Sequence, residues 1–312
     1  MNEFGIVSKY FSPLTKNFAG ALNLSDDACI FSPDEGYELV ITKDVMASDV
    51  HFFENDSAFD IAWKLLSVNV SDLAAMGAKP AIYMLGLTLP KGTDEAWLGR
   101  FCDGLQKAIE FYGGALAGGD TTSHEGKLIL SLTAIGQVKK GSALKRSGAT
   151  IGDDIYVSGT IGDALLGLLM LKGQMPKEEN IISRYHRPTA KIELGQQLAG
   201  IATSCIDVSD GLISDMGHIC ECSNIGAKIN IADIPLSEPA QEIVKKYPDV
   251  IKDMITGGDD YELLFTASVA MADKIKLLPV TKIGRVIEGR AVIVVDKDNK
   301  EIKLDKKGYV HF

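Results

Sequence analysis

Apolar and polar residues alternate along three runs in the first half of the chain, ELVITKD (38–44), AIYMLGLTL (81–89) and LILSLTAIGQV (128–138). This alternation predicts half-buried strands. Between them, residues 58–78 read as a long helix, started by Asp56 or Ser57 and ended by Gly77 ahead of Pro80. DEAWLGRFCDGLQKAIEFYGG (94–114) reads as a second helix. Apolar residues surround almost the whole circumference of the first helix, so it is buried on most sides. Its polar exceptions Asn69, Ser71 and Asp72 therefore carry information, because an unpaired buried carboxylate is expensive.

KKGSALKRSGATIGDD (139–154) breaks the pattern with Gly, Lys and Ser and reads as a connection between domains. Beyond it, DIYVSG (154–159) reads as a strand, GDALLGLLMLKG (162–173) and AKIELGQQLAGIA (190–202) as helices, and SCIDVSDGLISDMGHICEC (204–222) as a strand turning into a helix. Further strands fit AKINI, ELLFTAS and AVIVVD. The fold class is α/β (α+β), with two mixed-sheet domains over residues 1–140 and 141–312. A chain of 312 residues is longer than one hydrophobic core usually serves, which agrees with two domains.

The formal charge of −10 and the lack of any Lys/Arg-rich run argue against nucleic-acid binding. The start, MNEFGIVSKYF, has no basic segment followed by an apolar stretch, and the apolar run 164–171 is too short to span a bilayer, so no membrane partner is expected and the chain reads as cytoplasmic. Five cysteines do not make a disulfide framework and read as buried thiols.

Aspartate recurs at predicted strand ends and turns: Asp26 and Asp27, Asp44, Asp120, Asp207 and Asp210, Asp259 and Asp260. Singly, each reads most simply as a turn or cap residue. Five clusters, several beside glycine as in Gly118-Gly119-Asp120 and Gly257-Gly258-Asp259, fit metal binding better. Carboxylates are the hard ligands that Mg²⁺ takes, and glycine lets backbone approach a ligand. With divalent cations between them and a polyphosphate, such acids become a phosphate clamp. No Walker loop, dinucleotide fingerprint, HExxH or nucleophile elbow is present. The turn SGTIGDA (158–164) offers amides to an anion or is a plain glycine turn. His218 reads as packing, His51 as either a substrate contact or structural, and Arg146 as either a phosphate contact or an exposed linker residue.

Taken together, SDDACIF, TKDVMASDVHF, AWKLLSVNVSDLAAMGAKP, AGGDTTS, LKRSGATIGDDIYVSGTIGDALLGL, RPTAKIELG, CIDVSDGLISDMGHI, GGDDYELLF and the closing GYVHF resemble the thiamine-monophosphate kinase family. That family belongs to the superfamily of aminoimidazole ribonucleotide synthetase, selenophosphate synthetase and a hydrogenase maturation protein. The resemblance spans nearly the whole chain. It implies ATP-dependent phosphorylation of thiamine phosphate to thiamine diphosphate by direct in-line transfer, with several Mg²⁺ ions and no phospho-enzyme. By position it implies Asp27, Thr42, Asp44, Asp72, Asp120, Asp207 and Asp210 as Mg²⁺ ligands. Gly119, Asp120, Arg146 and Ser209 would hold ATP, and His51, Asp259 and Tyr309 would meet the substrate. It also implies a homodimer formed through the N-terminal sheet, and a C-terminal mixed sheet flanked by helices that completes the active site. Lys43 stands where the family has a small hydroxyl residue, Ser25 where it has glycine, and Asp259 where it has glutamate.

Two readings compete. One is another ATP-using enzyme of the superfamily, making an aminoimidazole nucleotide or selenophosphate; the other is a divalent-cation-binding protein without catalysis, which the acid clusters alone permit.

Overall fold

The computed structural model describes residues 3–306, 308 and 309. It divides into two compact units, one of Met1–Leu73 with Ala78–Gly141, the other of Ala74–Gly77 with Ser142–Phe312.

The first unit begins with the short helix α1 (Glu3–Ile6) and a run of tight helical turns up to Leu24. There follow β1 (Tyr37–Ala47), α2 (Ala58–Ala75), β2 (Lys79–Pro90), α3 (Glu95–Tyr112), β3 (Ala115–His124) and β4 (Ile129–Lys139). The strands form a mixed sheet in the order β1-β4-β2-β3, in which only β2 and β3 run parallel. The alternation read from the sequence sorts the two faces. Leu130, Leu132, Leu85 and Leu87 point into a buried face, and Leu73 of α2 sits over Gly136 of β4. The opposite face leaves Tyr37, Leu39, Ile41, Val45, Met84 and Ile129 exposed. Asp94 caps α3 by accepting from the Trp97 amide, as its place before an amphipathic run demands.

The second unit contains β5 (Asp154–Ser158), α4 (Asp163–Leu171), α5 (Glu179–His186), α6 (Ile192–Gln197), β6 (Ser204–Asp207), α7 (Leu212–Ser223), β7 (Gly226–Asn230), α8 (Glu238–Lys246), α9 (Val250–Thr256), β8 (Leu263–Ala267), α10 (Ala272–Ile275), β9 (Val280–Ile287) and β10 (Val292–Val295). Six strands make a second mixed sheet, β10-β7-β9-β5-β8-β6, antiparallel except for β10 with β7. Ile155, Val157, Ile206, Leu264 and Ile283 pack against Leu212, Met216 and Ile219 of α7. The intervening residues Tyr156, Cys205, Leu263 and Phe265 pack on the other face with Leu194 and Leu198. Both faces of the sheet centre are therefore covered, and all five residues of β8 are buried for that reason.

Candidate functional site

In the first unit, β1 turns Thr42 and Asp44 toward α2. The Thr42 hydroxyl donates to the Asp72 carboxylate, and the Asp44 amide donates to Asn69 Oδ1 at 3.2 Å. Asn69 is itself fixed by donating from Nδ2 to the Leu65 carbonyl at 2.9 Å. Two of the three polar exceptions on the helix thus face one strand. Burial, with the Asp72 carboxylate beside it, pushes the Asp44 carboxyl up to about 6. Asp44 has no ion-pair partner among the described residues.

Lys43 leaves β1 on the opposite face and donates to Ser131 Oγ. A contact from this position to anything held by Thr42 and Asp44 can come only from its backbone.

The glycine-acid pair Gly119-Asp120 lies inside β3, not in a turn. A Cβ on Gly119 would meet the Leu85 carbonyl oxygen at 2.0 Å, so the residue is glycine because β2 passes there. Asp120 pairs with Gly86, and its Oδ1 accepts from the Thr121 amide at 2.9 Å. Asp44, Leu132, Leu85 and Gly119 form one row across the sheet, so Asp44 and Gly119 stand on opposite edge strands, about 14 Å apart at three strand spacings. Within this unit Asp44 and Asp120 are therefore too far apart to share one ion. Asp27 is exposed in the segment after the N-terminal turns, where its amide donates to Asp26 Oδ1 at 3.0 Å. His51 closes a turn, its Nδ1 accepting from the Ala47 amide at 3.1 Å.

In the second unit, β6 ends at the buried Asp207 and the chain passes through Ser209 and Asp210 into α7. This segment lies along residues 258–262: the Asp259 amide donates to the Ser209 carbonyl at 2.9 Å and the Tyr261 amide to the Val208 carbonyl at 2.8 Å. A Cβ on Gly258 would come within 2.2 Å of the Ser209 carbonyl oxygen. Asp259 has φ +72° and accepts from the Tyr261 hydroxyl at 3.0 Å. Tyr309 is half-exposed and its amide donates to the Asp210 carbonyl at 3.0 Å. Arg146 is exposed.

Asp215, which sequence reasoning passed over, organises this segment. Its Oδ2 accepts from the amides of Ser209 and Asp210 at 3.0 and 3.1 Å. Burial first, and then the carboxylates of Asp207 and Asp210, push its carboxyl up to about 8. An acid in the first turn of a helix, five residues after Asp210, was the available signal. His218 was read as packing, yet it is only half-buried, and one of its ring nitrogens lies with carboxylate oxygens of Asp210 and Asp215 within 4.8 Å of one another.

In the SGTIGDA turn the Ile161 amide donates to the Pro235 carbonyl at 3.0 Å, and two further amides meet one carboxylate. The buried Asp260 accepts from Gly162 N at 2.8 Å and Ala164 N at 3.5 Å, and burial, together with Asp163 and Glu262 nearby, raises its carboxyl well above the usual range. It is a helix cap supplied from the segment that leads into β8. Glu262 is fully buried and accepts from Arg184 Nη2 at 2.8 Å, Lys191 Nζ at 3.1 Å and the Ser158 hydroxyl at 2.5 Å.

The donor set fits a hard divalent cation. In each unit, burial first and a neighbouring carboxylate second hold one carboxyl toward protonation, and a bound cation would favour its ionised form. The expectation of uniformly buried thiols holds for Cys102, Cys205 and Cys220, while Cys222 is exposed and Cys29 half-buried; all five are free.

Residues 25–138 match the family model of AIR synthase related protein, N-terminal domain, and residues 150–306 match its C-terminal domain. The chain is 39% identical to thiamine-monophosphate kinase of Escherichia coli strain K12 over 325 residues, covering 99% of this chain and 98% of the relative. It is similar to the crystal structure of thiamine-monophosphate kinase from Stenotrophomonas maltophilia K279a, with TM-score 0.84 and 40% identity over 94% of this chain and 98% of that one. A third likeness is to AaThiL complexed with AMPPCP and TMP, with TM-score 0.81 and 32% identity over 99% and 97% of the two chains. With identity at this level along nearly its full length and both domain models matched, the chain belongs to the thiamine-monophosphate kinase family.

Proposed function

We propose that the protein phosphorylates thiamine phosphate to thiamine diphosphate with ATP. The observation that carries this reading is the Thr42–Asp44–Asp72 cluster, a preformed oxygen site on a strand and a helix, in a chain similar from end to end to thiamine-monophosphate kinases. A relative 32% identical has been solved with AMPPCP and TMP, which supports a nucleotide and a phosphate acceptor as co-substrates.

In the first unit Asp27, Thr42, Asp44, Asp72 and Asp120 serve as Mg²⁺ ligands, Gly119 and Asp120 contact ATP, and His51 contacts the acceptor. In the second unit Asp207 and Asp210 serve as Mg²⁺ ligands, Arg146 and Ser209 contact ATP, and Asp259 and Tyr309 contact the acceptor. When bound, Mg²⁺ supplies charge neutralisation between two anions that otherwise repel. The chain's own part is positioning. The Thr42–Asp72 hydrogen bond and the Asn69 clamp fix the ligand oxygens before any substrate arrives, and the Asp215 carboxylate fixes the backbone of Ser209 and Asp210. The acceptor oxygen belongs to a phosphate with a second pKa of about 6, so it is already ionised near neutral pH and needs no general base. Transfer is direct, with no phosphorylated side chain on the path.

The exposed apolar row Tyr37, Leu39, Ile41, Val45, Met84 and Ile129 supports a homodimer through the first unit's sheet, since such a face is costly to leave in water. Free thiols and the lack, among the described residues, of any helix long and apolar enough to cross a membrane support a cytoplasmic assignment.

The deciding assay follows thiamine diphosphate and ADP in a mixture of purified protein, ATP, Mg²⁺ and thiamine phosphate. ADP release with a different acceptor, and none with thiamine phosphate, would move the protein to another branch of the superfamily.

A further inference from the structure

We propose that Asp210, Asp215 and His218 form a second kind of metal site, one that takes a divalent ion accepting nitrogen as well as oxygen, of the Mn²⁺ or Zn²⁺ class. It shares Asp210 with the Mg²⁺ reading above and adds Asp215 and His218, neither of which that reading makes a metal ligand.

The three side chains offer two carboxylate oxygens and one ring nitrogen, all within 4.8 Å of one another. Opposed ligands of a single ion with bonds near 2.2 Å stand about 4.4 Å apart, so a small rotation of these side chains brings all three atoms onto one ion. Asp215 and His218 are three residues apart on α7 and so share a helix face, while Asp210 lies just before the helix. Asp215 Oδ2 is spent on the amides of Ser209 and Asp210, which fixes the carboxylate and leaves Oδ1 for an ion. Neither carboxylate has an ion-pair partner, and the His218 ring makes no hydrogen bond, among the described residues. Two acids, one of them 1% exposed, and an uncommitted imidazole therefore face one another with no cation of the protein between them. The imidazole is the discriminating group. Mg²⁺ favours all-oxygen, largely hydrated coordination, whereas ring nitrogen suits later first-row ions.

The test uses Mn²⁺ bound to the full-length protein and electron spin echo envelope modulation, which detects nitrogen coordinated to the ion. We expect nitrogen modulation in the wild-type spectrum, its loss in His218→Gln, and Mn²⁺ affinity lower by at least about tenfold. His218→Asn repeats this arm if glutamine disturbs the helix, with circular dichroism as the folding control. Wild-type protein that binds Mn²⁺ without nitrogen coupling overturns the proposal, as does coupling that survives in the folded variants. The kinase assay in Mg²⁺ alone is run beside it. Nitrogen coupling in a chain that does not turn over thiamine phosphate sinks the kinase reading and leaves the metal site standing, and turnover without coupling does the reverse.

Discussion

The hydroxyl of Thr42 on β1 donates to the carboxylate of Asp72 on α2, joining a strand and a helix 30 residues apart in sequence at one cluster of oxygens. Asp72→Asn keeps the size and an acceptor for Thr42 while removing a charge. The variant is expected to fold with an unchanged circular dichroism spectrum and to lose kcat by about a hundredfold or more. Steady-state ADP release in Mg²⁺ checks it; activity within a few-fold of wild type would make Asp72 a purely structural residue.

Lys43 projects to the face away from Thr42 and Asp44. Lys43→Ala should therefore retain kcat/KM within about threefold, well under 1 kcal/mol of transition-state stabilisation. A loss beyond tenfold would show that the side chain reaches the reacting groups.

Gly119 has no room for a methyl group, because Leu85 O occupies its place at 2.0 Å. Gly119→Ala should separate β3 from β2 and cost about 1–3 kcal/mol by overpacking. Thermal unfolding of the variant measures this, and an unchanged Tm would contradict the pairing of Leu85 with Gly119.

Asp260→Ala strips the cap from α4 and leaves two buried amides without their acceptor, at a cost of about 1–3 kcal/mol. Urea denaturation should show the loss, with a smaller one for Asp260→Asn, which retains a carbonyl oxygen.

The carboxyls of Asp44 and Asp215 lie above their unfolded value of 3.8, at about 6 and about 8. A raised pKa means that the native state holds its proton more tightly than the unfolded chain. Their contribution to stability is therefore full below pH 3.8 and is lost as pH rises, through about 6 for Asp44 and about 8 for Asp215. In EDTA, Tm should fall between pH 5 and pH 8.5, and Mg²⁺ should restore it most at the alkaline end. A Mg²⁺ effect that shrinks with rising pH would refute the account.

Patterning revealed β1, β2 and β4 because their burial alternates with period two, and α2 because its long apolar stretch is bounded by a cap and a glycine. It did not reveal β3, whose ALAGGDTTSH carries two glycines and an acid on an edge strand bonded only to β2. It also missed β9, VTKIGRVI, where the register against β5 shifts between Ile155 and Tyr156 and breaks the alternation. At the site, the acids themselves stood out, since aspartate repeated beside glycine is visible in one dimension. Asp215 did not, because it acts on backbone amides that every residue possesses; Asp260 did, but its capping role did not, because its partner Gly162 is 98 residues away.

Asp259 and Asp260 have identical chemistry and opposite surroundings, one half-buried at positive φ and the other sealed over the start of α4. Neighbours so placed cannot exchange duties. Removing or inserting a single residue between Gly257 and Tyr261 would drive the wrong carboxylate into the cap and turn the other away from Tyr261. The spacing of this segment is therefore expected to tolerate substitution far better than any change in length.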